Sequence, residues 1–199
     1  HTYAMVQTIM RDFPDYVPNT YLQYYLYPEQ VVAQLDPDHT RTEEVRNGRE
    51  KRVFTQCRQA ARQGSTKGLT IAKSEVHADM IVEVASSIAF DKGELFIMIT
   101  RNNGTVSNFH EDAMVETAAN VGANGVTAVP FGKIDVFMKG LMEGQYAYEH
   151  LTVDSYFEGS YKKALQALTL NRTLVDAQKA KAVLDDLIDA NQGYWPELK

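Results

Sequence analysis

The amino-acid sequence predicts an α+β fold that is mostly helical and contains a small antiparallel sheet. Apolar residues recur at helical spacing between Ser74 and Phe90 and again in the last third of the chain. The period changes in between, because Leu95-Phe96-Ile97-Met98-Ile99 is a short apolar run and Asn102-Asn103-Gly104 follows it as a hairpin-turn signal. Helices on either side of one block of strands are typical of the α+β class.

The start of the chain predicts short helices separated by prolines. Weak helical character over residues 3–12 stops at Pro14, after which Asn19 or Thr20 can cap a short helix. Pro28 suits the first turn of a second short helix, because its missing N–H is not needed there.

A long helix is expected from Arg41 to about Gln63. Thr40 and Glu43 have the S/T-x-x-E spacing of a capping box, which places Arg41 in the first turn. A helix N-terminus favours anions, and an arginine fork there suits phosphate or carboxylate. The same spacing allows Arg41 to pair with Glu43 or Glu44 instead, and both interpretations stay open.

The sheet is expected to have about four antiparallel strands, at residues 95–99, 105–109, 114–121 and 126–130. Ser74 is a candidate N-cap for the helix that extends to Phe90 and precedes the sheet. Further helices are predicted at residues 132–156, 159–171 and 176–190. Because no G-x-G-x-x-G motif follows a strand, the sequence does not predict a dinucleotide-binding half within these residues.

Composition narrows the class of protein. With 44% hydrophobic and 23% charged residues among 199, the chain is globular. A formal charge of -6 argues against a nucleic-acid partner, and no apolar stretch has transmembrane length. The one cysteine, Cys57, excludes an intrachain disulfide and fits a reducing compartment such as the cytoplasm. We expect Cys57 to be a buried helix residue.

Tyrosines are concentrated in the segment from Pro18 to Pro28. If this segment is helical, Tyr21, Tyr24 and Tyr25 share one face through their i, i+3 and i+4 spacing. Three phenols on one face could belong to an active site, whereas tyrosines at this spacing more commonly cover a core with their rings. Periodicity does not decide between these roles.

Several separated segments carry a more specific signal. They are Pro18–Pro28, His39-Thr40-Arg41, Asn102-Asn103-Gly104 with Ala113-Met114-Val115-Glu116, and Ala182–Leu187 with Tyr194-Trp195-Pro196-Glu197-Leu198. Together, and in this order, they resemble glycoside hydrolase family 4, in particular its 6-phospho-α-glucosidase branch. The similarity runs over almost the whole chain.

The resemblance implies a fold like the carboxy-terminal domain of lactate dehydrogenase-like and family 4 proteins, with residues 1–199 as the substrate and catalytic domain. In the family, an amino-terminal Rossmann domain binds NAD and supplies a Cys and a His to a divalent metal, typically manganese. The chain opens at His1 without an initiator Met, and we expect that domain upstream, so no cofactor or metal ligand is expected here. Cys57 lacks the Cys-x-x-Pro context of the family's metal ligand.

The resemblance also assigns two site residues, Tyr21 as the catalytic base and Arg41 as a substrate-binding residue. Family enzymes oxidise the sugar at C3 with NAD, remove the acidified C2 proton, eliminate the C1 substituent, add water and reduce the ketone. A phenol has a reference pKa of about 10, so it acts as a base near neutral pH only where positive charge favours the phenolate. The implied protein is a bacterial, cytoplasmic homo-oligomer, a dimer or tetramer, acting on phosphorylated disaccharides such as maltose 6'-phosphate.

Other interpretations stay open from the sequence. The nearest is a 6-phospho-β-glucosidase or another family 4 glycosidase. A second is the substrate domain of a dehydrogenase, although His77, His110 and His150 are expected to be isolated surface or core residues without a catalytic context. The third is a non-catalytic assembly domain, in which the carboxy-terminal helices form a subunit interface.

Overall fold

The computed structural model of the protein describes residues 2–70, 76–174 and 176–199. It confirms the predicted α+β class, because the described residues form mostly helices and a small antiparallel sheet. The helical elements are α1 (Thr2–Asp12), α2 (Gln23–Leu26), α3 (Pro28–Ala33), α4 (Arg41–Glu43), a π-helical segment (Glu44–Arg49), α5 (Glu50–Gln63), α6 (Val76–Ala89), α7 (Val136–Glu158), α8 (Tyr161–Leu170) and α9 (Ala177–Ala190). The strands are β1 (Glu94–Arg101), β2 (Met114–Gly122) and β3 (Gly125–Ala128).

The chain forms two compact units. One unit comprises the chain up to Leu35 together with Asp135–Lys199, and it contains α1–α3 and α7–α9. The other comprises Asp36–Ile134, and it contains the sheet and the helical elements from α4 to α6. In the part of the chain that the structure describes, no helix is both long and apolar enough to cross a membrane.

The sheet has the order β1-β2-β3, and both pairs of neighbours are antiparallel. Alternation along β2 buries Val115, Ala119 and Val121 on one face. Helix α6 packs against β2. The Ser87 hydroxyl of α6 is fully buried, donates to the Val121 carbonyl at 2.6 Å and accepts from the Glu94 N–H at 3.2 Å.

The predicted strand at residues 105–109 is wrong. Val106 makes only an isolated parallel bridge with Gly132, and the segment is otherwise made of turns. The cause is Asn102, a fully buried side chain whose Oδ1 accepts from the Val106 N–H at 2.6 Å. Its Nδ2 donates to the carbonyls of Val106, Phe109 and His110 at 3.0–3.3 Å. A side chain therefore satisfies the backbone groups that a strand would pair with a neighbour.

The first unit is organised around α7, a helix of 23 residues. The Asp135 carboxylate caps it by accepting from the backbone N–H groups of Phe137 and Met138 at 2.9 and 3.0 Å. Gly159 ends it with a left-handed φ of 63°, and its carbonyl accepts from the Lys199 N–H at 2.7 Å. The carboxy-terminal residues are thereby attached to the junction between α7 and α8.

The long helix predicted from Arg41 is present but not uniform. Helical structure is continuous from Arg41 to Gln63 and ends at Gly64, whose φ is 60°. Between α4 and α5 the hydrogen bonding changes to the π pattern. The N-cap predicted at Ser74 lies outside the described residues.

Candidate active site

Tyr21 lies in a turn immediately before α2. Its N–H donates to the Asn19 side-chain oxygen at 2.9 Å, and the Leu22 N–H donates to the same atom at 3.2 Å. This is the Asx cap that the sequence allows at Asn19. Tyr21 is 68% exposed. The backbone of Tyr21 is therefore held while its phenol is open to a ligand.

Tyr24 and Tyr25 lie in the short helix that follows Tyr21. The Tyr24 N–H donates to the Tyr21 carbonyl at 3.0 Å, which joins the turn to α2. Tyr25 is partly buried, and this burial raises the pKa of its phenol, with smaller contributions from Glu149 and Tyr148. A phenol that is harder to ionise suits packing against α7 more than base catalysis.

A cavity of about 240 Å³ adjoins these tyrosines within the first unit. Its lining comes from α2, α7 and the turn after α8, namely Tyr24, Tyr25, Gln145, Tyr148, Asn171, Arg172 and Thr173. Arg172 donates from Nε and Nη2 to the Tyr25 carbonyl at 3.3 and 3.0 Å. Arg172 could not be identified from the sequence, because an Asn-x-Thr segment predicts a turn but not a partner 147 residues away.

Tyr27 links the tyrosine segment to α1. Its hydroxyl donates to Asp12 Oδ2 at 2.7 Å, while Asp12 Oδ1 accepts from Arg11 Nε at 2.8 Å. The hydrogen bond to Asp12 raises the pKa of Tyr27, with burial adding to it. The hydrogen bonds from Arg11 and then Tyr27 lower the pKa of Asp12. Tyr27 is thus engaged as a donor.

Arg41 belongs to the second unit, whereas Tyr21 belongs to the first. The Glu43 N–H donates to the Thr40 hydroxyl at 3.2 Å, so the predicted cap is present and Arg41 begins the helix. The Arg41 guanidinium donates to Glu44, the alternative that the sequence left open. Both side chains are about two-thirds exposed. Exposed ion pairs of this kind contribute about 0–1 kcal/mol, so a ligand could replace Glu44 at little cost.

Among residues 2–70, 76–174 and 176–199, no group of three or more His, Cys, Asp or Glu side chains converges on a point that could hold a metal ion. The residues described therefore do not fit a metal centre by themselves.

Cys57 is exposed, so the prediction of a buried helix residue is wrong. On α5 the partly buried positions are Val53, Gln56 and Ala60, which follow helical spacing and leave Cys57 on the neighbouring face. Two of the histidines contact aromatic rings. The centroids of the His110 and Phe109 rings are 5.2 Å apart, and those of the His150 and Tyr146 rings are 4.3 Å apart.

Comparison with known proteins gives this geometry a context. Residues 2–174 match the family 4 glycosyl hydrolase C-terminal domain. The chain is 47% identical over 200 residues to the phospho-alpha-glucosidase PagL of Clostridium acetobutylicum, covering 99% of this chain and 45% of that protein. It is 44% identical over 197 residues to the maltose-6'-phosphate glucosidase of Bacillus subtilis, covering 99% and 44%.

A solved structure is similar as well. The crystal structure of a 6-phospho-alpha-glucosidase from gut microorganisms, in complex with NAD and Mn²⁺, has a TM-score of 0.90 and 48% identity, covering 100% of this chain and 45% of that one. The chain belongs to glycosyl hydrolase family 4, as its carboxy-terminal domain. It spans less than half the length of the relatives that it matches.

Proposed function

We propose that this chain is the carboxy-terminal part of a bacterial 6-phospho-α-glucosidase that hydrolyses phosphorylated disaccharides such as maltose 6'-phosphate. One observation carries the proposal. In a chain 47% identical to a phospho-alpha-glucosidase, the backbone of Tyr21 is held by Asn19 and the residue is 68% exposed. This arrangement suits a residue that contacts a bound sugar more than one that packs in the core.

Tyr21 is the proposed base, which takes a proton from C2 of the sugar. An exposed tyrosine that has ionised to the phenolate can receive this proton and return to the neutral phenol without disturbing the packing beneath it. Arg41 is the proposed ligand of the substrate's phosphate or hydroxyls, since its guanidinium lies at a helix start and pairs with the exposed Glu44, which a ligand could replace. Tyr21 belongs to the first unit, and Arg41 belongs to the second.

NAD and a divalent metal, for which we propose manganese, would supply the hydride acceptor and the positive charge at the sugar oxygens. The resemblance to family 4 supports an amino-terminal Rossmann domain, upstream of residue 1, as the part that mainly binds both groups. The whole chain 1–199 would then act as the substrate and catalytic domain.

The test uses the complete protein with NAD, Mn²⁺ and nitrophenyl α-glucoside 6-phosphate. Tyr21→Phe keeps the ring and removes the proton acceptor, so we expect kcat to fall at least a hundredfold. Tyr156→Phe is the matched control, because Tyr156 is also exposed, at 58%, and lies elsewhere on the first unit. Wild-type turnover of the Tyr21 variant would contradict the proposal. The β-anomer of the same substrate, assayed in parallel, separates it from a 6-phospho-β-glucosidase.

Arg41→Lys tests the substrate-binding role. The change replaces a bidentate fork by a point charge, so KM should rise about tenfold with a smaller effect on kcat. Arg62→Lys, an exposed arginine in the last turn of α5, is the control. Unchanged kinetics in the Arg41 variant would remove this residue from the site.

A cytoplasmic homo-oligomer, dimer or tetramer, is part of the proposal. The outward face of β1 supports it, because Leu95, Ile97 and Ile99 are each more than half exposed and alternate along one strand. Light scattering of the complete protein should give a mass of two or four chains. Ile97→Asp should lower that mass, whereas a monomeric wild type would refute the assembly.

A further inference from the structure

The turn after α8 reaches back to the tyrosine segment through one side chain. Arg172 donates two hydrogen bonds, from Nε at 3.3 Å and from Nη2 at 3.0 Å, to the Tyr25 carbonyl. Both residues lie in the first unit. A guanidinium that directs two donors at one carbonyl makes a charge-assisted contact with defined geometry.

The Tyr25 carbonyl has a specific need for such a donor. Helix α2 has only four residues, so its last carbonyls lack partners within the helix. The residue three positions after Tyr25 is Pro28, which has no N–H and cannot close the usual turn. Arg172 therefore supplies a donor that the local sequence does not.

Arg172 is itself held in place by its neighbours. The Asn171 side-chain oxygen accepts from the Thr173 N–H at 3.0 Å and from the Thr173 hydroxyl at 2.7 Å. The Asn171 N–H donates to the Leu168 carbonyl at 3.1 Å, which attaches the turn to the end of α8. The base of the arginine side chain is thus fixed to a helix.

The contact is transmitted to Tyr21 over a single helical turn. The Tyr25 N–H donates to the Leu22 carbonyl, and the Tyr24 N–H donates to the Tyr21 carbonyl, both at 3.0 Å. Asn19 holds the other end of the same turn. Arg172 and Asn19 therefore fix the two ends of a segment that is too short to hold its own shape.

We propose that Arg172 is a positioning residue for Tyr21, which sets the place of the proposed base through the Tyr25 carbonyl. The inference rests on the proposed function, since it concerns how that base is aligned. A displacement of about 1 Å at a reacting group can cost about a hundredfold in rate. Loss of Arg172 should accordingly slow proton removal from C2 more than it weakens substrate binding.

The experiment uses the complete protein with NAD, Mn²⁺ and nitrophenyl α-glucoside 6-phosphate, with hydrogen or deuterium at C2. In Arg172→Met we expect kcat to fall about tenfold to a hundredfold, while KM changes less than about threefold. The deuterium isotope effect on kcat should increase, because proton transfer becomes slower relative to the other steps. Arg172→Lys should recover part of the loss, since an ammonium can still donate to the carbonyl.

Arg62→Met is the matched control, with the same change at an exposed arginine of α5. The inference is overturned if Arg172→Met has the kcat and isotope effect of this control. It is also overturned if Arg172→Met merely lowers Tm while the isotope effect stays at the wild-type value. If Arg172→Met does not fold, the isotope effect of Arg172→Lys decides in the same way.

Tyr21→Phe, assayed beside these variants, distinguishes a failure of the positioning role of Arg172 from a failure of the proposed function. If Tyr21→Phe is inactive and the Arg172 variants behave like the control, only the positioning role fails. If Tyr21→Phe turns over normally, the proposed function itself fails.

Discussion

Asn102 and Val106 form a reciprocal buried pair, in which one side chain accepts from the N–H of Val106 at 2.6 Å and donates to its carbonyl at 3.0 Å. The same Nδ2 group also donates to the carbonyls of Phe109 and His110. This single amide holds the loop that follows β1 in its shape.

Asn102→Asp should therefore destabilise the loop. The change keeps the size of the side chain, but it places a carboxylate against carbonyl oxygens and removes their donor. We expect a loss of about 3 kcal/mol or more in the free energy of local opening. Hydrogen exchange at the Val106 amide measures it. Asn103→Asp is the control, because Asn103 is exposed and its φ of 42° suits Asp as well as Asn; equal effects at both positions would contradict the assignment.

Gly159→Ala should loosen the carboxy-terminal residues. A Cβ at this position would lie 2.9 Å from the Glu197 carbonyl oxygen, in addition to the cost of a left-handed φ. Gly193→Ala shares the left-handed φ, at 82°, but its Cβ would meet nothing within 4 Å. The control should lose about 1–2 kcal/mol from backbone strain, and Gly159→Ala should lose more. The Tm values of the two variants measure this difference. Equal Tm values would show that the close contact at Gly159 has no cost.

Ser87→Ala should weaken the attachment of α6 to the sheet. It leaves the buried Val121 carbonyl without the hydroxyl donor and the Glu94 N–H without the acceptor. The expected loss is about 1–3 kcal/mol in the free energy of unfolding, measured by urea denaturation. Ser86→Ala, at the less buried neighbouring position, should change it by less than about 0.5 kcal/mol.

Tyr27→Phe should destabilise the first unit in a way that depends on pH. The pKa of Asp12 is lowered in the fold, so its share of the stabilisation is present above the ordinary Asp pKa of about 3.9 and is lost as the pH falls further. The pKa of Tyr27 is raised, so its share is present below about pH 10 and is lost as the pH rises through the folded value. The Tm difference between wild type and variant should be constant from pH 5 to 9 and shrink at both extremes. A difference that does not vary over the whole range would refute the role of the hydrogen bond.

The 199-residue chain by itself should not hydrolyse nitrophenyl α-glucoside 6-phosphate when NAD and Mn²⁺ are supplied. The residues that the structure describes hold Tyr21 and Arg41 but no converging set of metal ligands. The complete protein under the same conditions is the positive control. Turnover by the short chain would show that the cofactors bind within it.

Local signals predicted local structure well. Pro28 begins a helix, and Thr40 caps the next one, because both effects depend only on residues within one turn. The strand at 105–109 could not be excluded from sequence, since its backbone is taken by the buried side chain of Asn102. The prediction that Cys57 is buried was wrong, because the sequence of a helix does not show which of its sides packs against the rest of the protein.

The surroundings of Tyr21 show the same division. The Asn19 cap could be predicted, because it needs only two following N–H groups. The contact from Arg172 could not, because it joins residues that are 147 positions apart in the sequence.

The π-helical segment at Glu44–Arg49 determines how α5 is rotated about its axis relative to α4. A π turn contains one residue more than an α turn, so α5 begins about 100° away from where an unbroken helix from Arg41 would have brought it. The partly buried side of α5, which carries Val53, Gln56 and Ala60, takes its direction from that offset. Deleting one residue of the segment would return the helix to regular winding and rotate this side of α5 by about 100° relative to Arg41.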